Sequence, residues 1–390
     1  MATDELAVLA AELSTKHVVA GDAEVQAVTG ALRGGDLSGN ARLVGDYERA
    51  LSKWFGTRFA LACSSGTAAL HLALLTLGVG VGDEVIVPPT APAMTALPVL
   101  AVGARPVFAD TRSPASFALD LADVDRKRTQ RTKAVVSVPM WGYPADDGEL
   151  VAACHGWGLP LIEDAAQAHG TRLGRDGRLA GTQGVVGCFS THARKLVCTG
   201  EGGFVLTGDP TVAARLATLR NLGQPARLDA PLALPVGAFG EGFGLNYKLG
   251  ALPAALGLAQ LDRLAGRLQA RRRVARRLLA RLAEVPGLAP LPVVAGASPN
   301  HYALVLQVQL GDAALVGRRL AVEGVISDTV RYCYRPLYQL PVFSAFAPPA
   351  LCCPNAEALC ASIITLPCHE GLTAADERRI VRACRMAMRQ

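Results

Sequence analysis

The chain has 390 residues, of which 51% are hydrophobic and 18% are charged, and its formal net charge is +6. This composition excludes general disorder, and the length allows one large hydrophobic core and a second, smaller one. Asp4 and Glu5 precede any apolar run, which argues against a secretory signal, and the ten cysteines are scattered without a C-x-x-C pair. We therefore expect reduced thiols, no metal site and a cytoplasmic protein.

The N-terminal region has helical patterns. Residues 1–25 predict a leading helix and then a crossing segment, with a helix starting at Ala23 after Gly21 and Asp22. A second helical period, Asp46–Phe55, ends at Gly56, a common stop residue.

Five short apolar runs follow and alternate with helical patterns such as Ala68–Leu77 and Glu149–His155. The runs are Phe59–Cys63, Glu84–Val87, Arg105–Phe108, Ala134–Val138 and Leu159–Ile162. This alternation predicts a mainly parallel sheet covered by helices on both faces. In such sheets ligands bind beyond the carboxyl ends of the strands.

One uncharged stretch, Val85–Ala104, has the length of a membrane span. Four prolines interrupt it, namely Pro88, Pro89, Pro92 and Pro98. Because proline breaks a helix interior, the stretch is predicted to form a buried strand followed by a loop, and no membrane association is expected.

Polar chemistry follows three of the predicted strands, at Ser64–Thr67, Asp164–Gln167 and Ser190–Lys195. The first segment is either a capped helix start or a turn whose free N–H groups bind an anion. Asp164 is either a helix cap or the partner of a protonated ring nitrogen. Lys195 is either a solvated lysine beside a turn or, where its pKa is lowered, a neutral amine that can form a Schiff base.

Asp262–Leu282 combines eight arginines with leucines at helical spacing. A nucleic-acid contact is one interpretation, but the stretch has no aromatic residue for base stacking and no nucleic-acid-binding motif is visible. A helix that connects two domains, apolar inside and charged outside, is favoured. We therefore expect no nucleic-acid partner.

Several segments carry motifs in a fixed order. They are Ser65–Leu70 (SGTAAL), Gly82–Pro88 (GDEVIVP), Glu163–Gly170 (EDAAQAHG), Lys195–Gly203 (K-x4-GEGG) and Gly244–Leu249 (GLNYKL), with C-terminal runs at Pro336–Tyr338, Cys353–Glu357 and Leu366–His369. Together they resemble the DegT/DnrJ/EryC1/StrS family of pyridoxal-phosphate enzymes, mostly sugar and aminocyclitol aminotransferases. The resemblance covers nearly the whole chain.

This resemblance implies an α/β protein of the fold type I (aspartate aminotransferase-like) architecture. Residues 1–255 would form an N-terminal segment and a large, mostly parallel-sheet domain that binds the cofactor. Residues 256–390 would form a connecting helix and a smaller α+β domain. A homodimer with shared active sites is also implied.

The resemblance further implies pyridoxal 5′-phosphate as the cofactor and assigns roles by position. Lys195 would form the imine and shuttle a proton, Asp164 would pair with the pyridine nitrogen, and Gln167 would lie near the ring hydroxyl. The residues implied around the phosphate are Gly66, Thr67, Ser190 and, reaching across from the other subunit, Asn246.

The sequence departs from the family pattern where substrate is expected. Pro92 stands in the aromatic slot of the T-[FWY]-x-A-T run and offers no π face. Ser137–Gly142 replaces P-V-H-L-Y-G, and Thr191 follows Ser190 where an aromatic residue is usual. The substrate candidates are Pro92, Trp141, His192, Tyr332 and Arg335, each with a packed or solvated role as the alternative. A packed histidine is also the alternative for His169, which is expected beside the site.

The leading functional hypothesis is an aminotransferase that takes nitrogen from glutamate or glutamine. Its acceptor would be a keto-sugar, a nucleotide-linked keto-sugar or a keto-cyclitol in secondary-metabolite (aminoglycoside-type antibiotic) biosynthesis. Lys195 argues against the sugar-deoxygenating branch of the family, which has histidine there. Two alternatives stay open: a dehydrating or aromatising enzyme similar to aminohydroxybenzoate synthase, and a non-catalytic, cofactor-bound regulatory protein.

Overall fold

The computed structural model describes residues 13–14, 20–145, 148–174, 176–229, 232–235, 237–348 and 351–389. The leading helix predicted near the N-terminus therefore lies mostly outside the described residues. The helix predicted from Ala23 begins at Asp22, after Gly21 at its N-terminal cap. It ends at Gly34, because Gly35 adopts a positive φ of 74° that stops the helix.

Helices and strands alternate along the chain. The helices are α1 (Asp22–Gly34), α2 (Arg42–Phe55), α3 (Gly66–Thr76), α4 (Ala93–Ala101), α5 (Leu121–Lys127), α6 (Gly148–Trp157), α7 (Pro210–Arg220), α8 (Ala251–Leu282), α9 (Ala313–Val322), α10 (Asp328–Arg331), α11 (Pro341–Ser344), α12 (Pro354–Ser362) and α13 (Ala374–Ala387), with 3-10 turns at Met140–Gly142 and Leu337–Gln339. The strands are β1 (Phe59–Cys63), β2 (Glu84–Val87), β3 (Arg105–Phe108), β4 (Thr132–Ser137), β5 (Leu161–Asp164), β6 (Arg172–Leu173), β7 (Arg178–Leu179), β8 (Val186–Ser190), β9 (Gly203–Thr207), β10 (Ala226–Asp229), β11 (Leu232–Pro235), β12 (Leu288–Pro290), β13 (Leu304–Val308) and β14 (Ile363–Leu366).

The central sheet has seven strands in the order β1-β9-β8-β5-β4-β2-β3. Only β9 runs antiparallel to its neighbours, and the other pairings in this sheet are parallel. Val135 on β4 pairs with Leu161 on β5, and Asp164 at the end of β5 pairs with Cys188 on β8. The carboxyl ends of these strands therefore meet at one edge. This confirms the mainly parallel sheet and the fold type I architecture.

The predicted buried strand is confirmed as β2, and a loop follows it at residues 88–92. The rest of the predicted loop is wrong, because helix α4 forms there with Pro98 inside it. Pro92 occupies the N-terminal cap, where its missing N–H costs nothing. Pro98 removes one intrahelical hydrogen bond, but it is buried together with Thr95, Ala96 and Val99. Burial of this face offsets the bond that proline removes.

A second, antiparallel sheet of β12, β13 and β14 lies in the C-terminal part. The 32-residue helix α8 contributes to two hydrophobic cores. Leu264 and Leu268 pack in the core of the central sheet, whereas Leu278 and Leu282 pack in the core of the C-terminal sheet. The helix thus joins the two, as the leucine spacing indicates.

The arginines of α8 are only partly on the outside, which corrects the prediction of a charged outer face. Arg267 and Arg271 are buried and both pair with Glu370, at 2.5 and 3.0 Å. Burial raises the pKa of Glu370, but the two guanidinium groups outweigh it and hold that pKa at about 2. Arg277 and Arg281 pair with Glu377. Within the described residues, no helix has both the length and the apolar character of a membrane span.

Candidate active site

A cavity of about 620 Å³ lies at the carboxyl edge of the central sheet. It brings together most of the residues that the sequence predicts for the site. The predicted residues that line it are Gly66, Thr67, Pro92, Trp141, Asp164, Gln167, Ser190, His192, Lys195, Tyr332 and Arg335. Asn246 does not line it and is exposed elsewhere on the surface, next to exposed Leu245.

The N-terminus of α3 forms one end of the cavity. Ser65 caps this helix, since its Oγ accepts the N–H of Ala68 at 3.0 Å. The N–H groups of the next two residues, Gly66 and Thr67, have no acceptor within the helix, and both residues line the cavity. A helix N-terminus of this kind attracts an anion such as a phosphate group.

Gly66 is required at this end by its close approach to Ser190. A Cβ atom at position 66 would lie 2.6 Å from the Cβ of Ser190, which is far inside van der Waals contact. The two segments that form this end of the cavity, after β1 and at the end of β8, can approach this closely only with glycine at that position.

We expect Gly66→Ala to weaken cofactor binding by about tenfold to a hundredfold, since overpacking of this kind costs about 1–3 kcal/mol. The dissociation constant of pyridoxal phosphate, measured by absorbance titration of the apoenzyme, checks this. Gly156→Ala in α6 is the matched control, because an added Cβ there meets nothing within 4 Å. Equal affinities for the two variants would contradict the expected crowding.

Asp164 is buried at the end of β5 and receives two hydrogen bonds. Thr95 Oγ1 donates to Oδ2 at 2.5 Å, and the N–H of Ala166 donates to Oδ1 at 3.2 Å. Burial raises the pKa of Asp164, and the hydrogen bonds and the charge of Lys195 only partly counter this. A buried carboxylate with few partners is stabilised by a cation in contact with it, and a protonated pyridine nitrogen would be such a cation.

Lys195 follows β8 of the central sheet and faces Tyr302, which precedes β13 of the C-terminal sheet. Its Nζ is 4.9 Å from the ring centroid of Tyr302. Burial lowers the pKa of Lys195 to about 8, with Arg194 acting in the same direction and Asp164 and Asp328 against it. The backbone is held on both sides: Lys195 N donates to the His192 carbonyl at 2.8 Å, and Arg267 donates to the next carbonyl, that of Leu196, at 2.6 Å.

The lowered pKa of Lys195 predicts how fast the apoenzyme takes up cofactor. At pH 7 about a tenth of such amines are neutral, against well under a thousandth for an ordinary lysine. The neutral form is the nucleophile, so the loading rate should rise with pH and level off above about 8. Stopped-flow absorbance of apoenzyme mixed with pyridoxal phosphate measures this.

A variant tests whether Lys195 sets the pH at which the loading rate reaches half of its maximum. Asp328 raises the pKa of Lys195, so Asp328→Asn should move the midpoint of the loading rate to lower pH. A loading rate that keeps rising beyond pH 10 in the unmodified enzyme would contradict the assignment to Lys195.

Gln167 is oriented by the wall of the cavity. Its Oε1 accepts the backbone N–H of Trp141 at 2.8 Å, which leaves its amide nitrogen as the group that can donate. Trp141 has a positive φ of 50°, uncommon for a residue with a side chain. Its ring is buried against Tyr334, with ring centroids 4.8 Å apart. Trp141 therefore forms the wall of the cavity and is packed as well.

The histidines near Lys195 have different surroundings. His192 lines the cavity, and its Nε2 lies 3.6 Å from Glu201 Oε1. His169, which is expected beside the site, is fully buried behind it and packs against Phe189. Burial lowers the pKa of His169 to about 3, so it is neutral. His169 has the packed role.

The rim of the cavity carries further polar groups. The guanidinium of Arg194 donates to the Tyr332 hydroxyl, and Arg335 is exposed at the rim. Pro92 lines the wall and presents a saturated ring. Asp328 also lines the cavity.

Several of these residues are not marked by the sequence. Tyr302 and Asp328 belong to no motif whose spacing indicates a site, and Arg194 lies in the Ser190–Lys195 segment without being singled out there. Thr95 is the exception, because it ends the T-[FWY]-x-A-T run that Pro92 interrupts.

The groups present fit pyridoxal phosphate. The crowded glycine and the helix N-terminus suit its phosphate, and the buried carboxylate of Asp164 suits its ring nitrogen. Lys195, with its lowered pKa, suits its aldehyde.

Comparison with known proteins gives a consistent result. The family model of the DegT/DnrJ/EryC1/StrS aminotransferases matches residues 19–385. GDP-perosamine synthase of Caulobacter vibrioides is 34% identical over 349 residues, which are 89% of this chain and 90% of that protein. L-glutamine:2-deoxy-scyllo-inosose aminotransferase of Streptomyces kanamyceticus is 35% identical over 335 residues, 83% of this chain and 77% of that protein. The crystal structure of the aminotransferase TlmJ from Streptoalloteichus hindustanus has a TM-score of 0.84 at 32% identity and covers 96% of this chain and 98% of its own.

The family match spans nearly the whole chain, and the similar proteins agree with it in sequence and in fold. The cavity holds the groups that the cofactor of these enzymes requires. The chain is a pyridoxal-phosphate-dependent aminotransferase and belongs to the DegT/DnrJ/EryC1/StrS aminotransferase family.

Proposed function

We propose that the protein transfers an amino group from glutamate or glutamine to the keto group of a sugar, a nucleotide-linked sugar or a cyclitol. The observation that carries this is the meeting of Lys195, Asp164 and the N-terminus of α3 in one cavity. The names of the similar proteins support the acceptor class, since one makes GDP-perosamine and another acts on 2-deoxy-scyllo-inosose.

The residues at the base of the cavity are proposed to act together. When bound, pyridoxal phosphate supplies an electron sink for the charge left on the substrate carbon. Lys195 Nζ takes up and returns the proton at that carbon. Asp164 would keep the ring nitrogen protonated, and Gln167 would donate its amide N–H to the ring hydroxyl. The backbone N–H groups of Gly66 and Thr67 and the hydroxyls of Thr67 and Ser190 would bind the phosphate.

The residues at the rim are proposed to bind substrate. Arg335 is exposed there, and its planar guanidinium suits the carboxylate of the amino donor. His192 and Tyr332 also line the cavity, and the buried Trp141 forms part of its wall. Pro92 lines the cavity with a saturated ring, so it would cover the cofactor ring without aromatic stacking.

A two-step absorbance assay tests the function. The loaded enzyme is expected to lose its visible cofactor band with glutamate or glutamine, and to regain it when a keto-sugar or keto-cyclitol is added. Mass spectrometry then identifies an amine product. A band that no amino acid or amine alters would favour a regulatory protein. A product that has lost water without gaining nitrogen would favour the dehydrating or aromatising alternative.

We further propose a homodimer with shared active sites. Asn246 does not line the cavity of its own chain, and its segment exposes Phe239, Phe243 and Leu245 by 61%, 67% and 49%. Apolar groups exposed together in this way are typical of a surface that a second copy covers. Sedimentation analysis of the holoenzyme tests the dimer, and Asn246→Ala should weaken cofactor binding in it.

Three further assignments are proposals of the same kind. The ten cysteines are free, which supports a reducing, cytoplasmic setting. The division into residues 1–255 and 256–390 is supported by the separate core that the C-terminal sheet forms with the end of α8. The arginine- and alanine-rich composition and the similarity to a Streptomyces aminotransferase support secondary-metabolite (aminoglycoside-type antibiotic) biosynthesis.

A further inference from the structure

Thr95 is in contact with Asp164 although the two residues are far apart in the chain. Thr95 lies in the first turn of α4, where its N–H donates to the Pro92 carbonyl at 3.0 Å. Its side chain is 1% exposed, and its Oγ1 is 2.5 Å from Asp164 Oδ2. An O–H···O distance this short is typical of a hydroxyl that donates to an ionised carboxylate.

Among the described residues, two further groups favour the Asp164 anion, namely the Ala166 N–H and the charge of Lys195. Ala166 N–H donates to the other carboxylate oxygen at 3.2 Å, a longer bond. The titratable groups facing Asp164 are Lys195, from the segment after β8, and Cys188 on β8 itself. Burial raises the pKa of Cys188, so this thiol stays neutral and places no second negative charge beside Asp164. Thr95 therefore provides the shortest contact that stabilises the carboxylate.

We propose that Thr95 is a positioning residue, whose hydroxyl orients the Asp164 carboxylate and keeps it ionised for the ring nitrogen of the cofactor. This inference rests on the proposed role of Asp164. Helix α4 sets the geometry, because Pro92 at its cap fixes where the helix begins and hence where Thr95 points. Thr95, the last position of the interrupted T-[FWY]-x-A-T run, then has a role that does not depend on the aromatic residue that Pro92 replaces.

The test uses Thr95→Val, which keeps the shape and removes the hydroxyl, and Thr95→Ser, which keeps the hydroxyl. Thr76→Val is the control for a buried threonine, since Thr76 is 4% exposed and its hydroxyl has no partner among the described residues. The probe is pyridoxamine 5′-phosphate, which forms no imine with Lys195, so its binding does not require a neutral lysine amine.

The dissociation constant of the probe is measured by fluorescence across the pH range. We expect Thr95→Val to weaken binding about tenfold near neutral pH. Losing the hydrogen bond raises the pKa of Asp164, so the loss of affinity on acidification should begin at higher pH in this variant. Thr95→Ser and Thr76→Val should follow the unmodified enzyme. The proposal would be overturned if Thr95→Val matched the unmodified enzyme in probe affinity and in its pH dependence. It would also be overturned if Thr95→Ser bound the probe as weakly as Thr95→Val.

A double variant separates positioning from a general packing effect. In the Asp164→Asn background, Thr95→Val should change the dissociation constant less than twofold, because no carboxylate is left to orient. A full tenfold effect in that background would show that Thr95 acts on the fold instead. If the single variant Asp164→Asn binds the probe as tightly as the unmodified enzyme, the proposed role of Asp164 fails. If Asp164→Asn weakens probe binding but Thr95→Val does not, the role of Asp164 stands and the inference about Thr95 fails.

Discussion

Lys195→Ala should lower the rate of amino transfer by about 10³-fold or more, while the protein still binds pyridoxal phosphate. The variant loses the amine that bonds to the cofactor and moves the proton. It keeps the buried carboxylate of Asp164 and the N-terminus of α3 with Gly66 and Thr67. Single-turnover absorbance with glutamate measures the transfer, and dialysis followed by cofactor assay measures retention.

Lys133→Ala is the matched control, because Lys133 is an exposed lysine on β4. It should transfer nitrogen at the normal rate. Turnover retained in Lys195→Ala would refute the assignment of this lysine, whatever its affinity for the cofactor.

Asp164→Asn should reduce both cofactor affinity and the rate of amino transfer, the rate by about 10²-fold or more. Asparagine keeps the size of the side chain but has no charge to hold a proton on the ring nitrogen. The amide also introduces a donor that faces the Thr95 hydroxyl, so the 2.5 Å contact has to rearrange. Rates and dissociation constants measured on the same preparation test both effects.

Glu163→Gln provides the comparison on the neighbouring residue. Glu163 is also buried at the end of β5, but it accepts three backbone N–H groups, from Gly181, Gln183 and Gly184, at 2.7–2.8 Å. Replacing the Glu163 carboxylate with an amide should lower the free energy of unfolding and leave the cofactor affinity of the folded protein unchanged. Equal loss of cofactor affinity in Glu163→Gln and Asp164→Asn would remove the distinction between a structural and a cofactor-binding carboxylate.

The sequence predicts the strands best where turn residues bound them. Phe59–Cys63, Glu84–Val87 and Arg105–Phe108 have the predicted limits, because glycine, proline or aspartate lies close to their ends. The motif order also predicts that Asp164 and Lys195 line one cavity, which the parallel pairing of β5 with β8 produces.

The features that the sequence does not predict depend on contacts between distant segments. The helix α4 forms despite Pro98 because its buried face packs well, and a proline count carries no information on packing. Arg267 is buried because Glu370, 103 residues later, pairs with it. Tyr302 reaches Lys195 only through the placement of the C-terminal sheet beside the central one.

Arg267 joins three parts of the molecule through one guanidinium group, since it binds Gln260 on its own helix, Glu370 and the Leu196 carbonyl. The segment that carries Lys195 is therefore linked to the C-terminal segment that carries Glu370. When heating unfolds the segment around Glu370, the enzyme should lose activity before the central sheet unfolds. Inactivation and loss of secondary structure would then follow separate temperature curves.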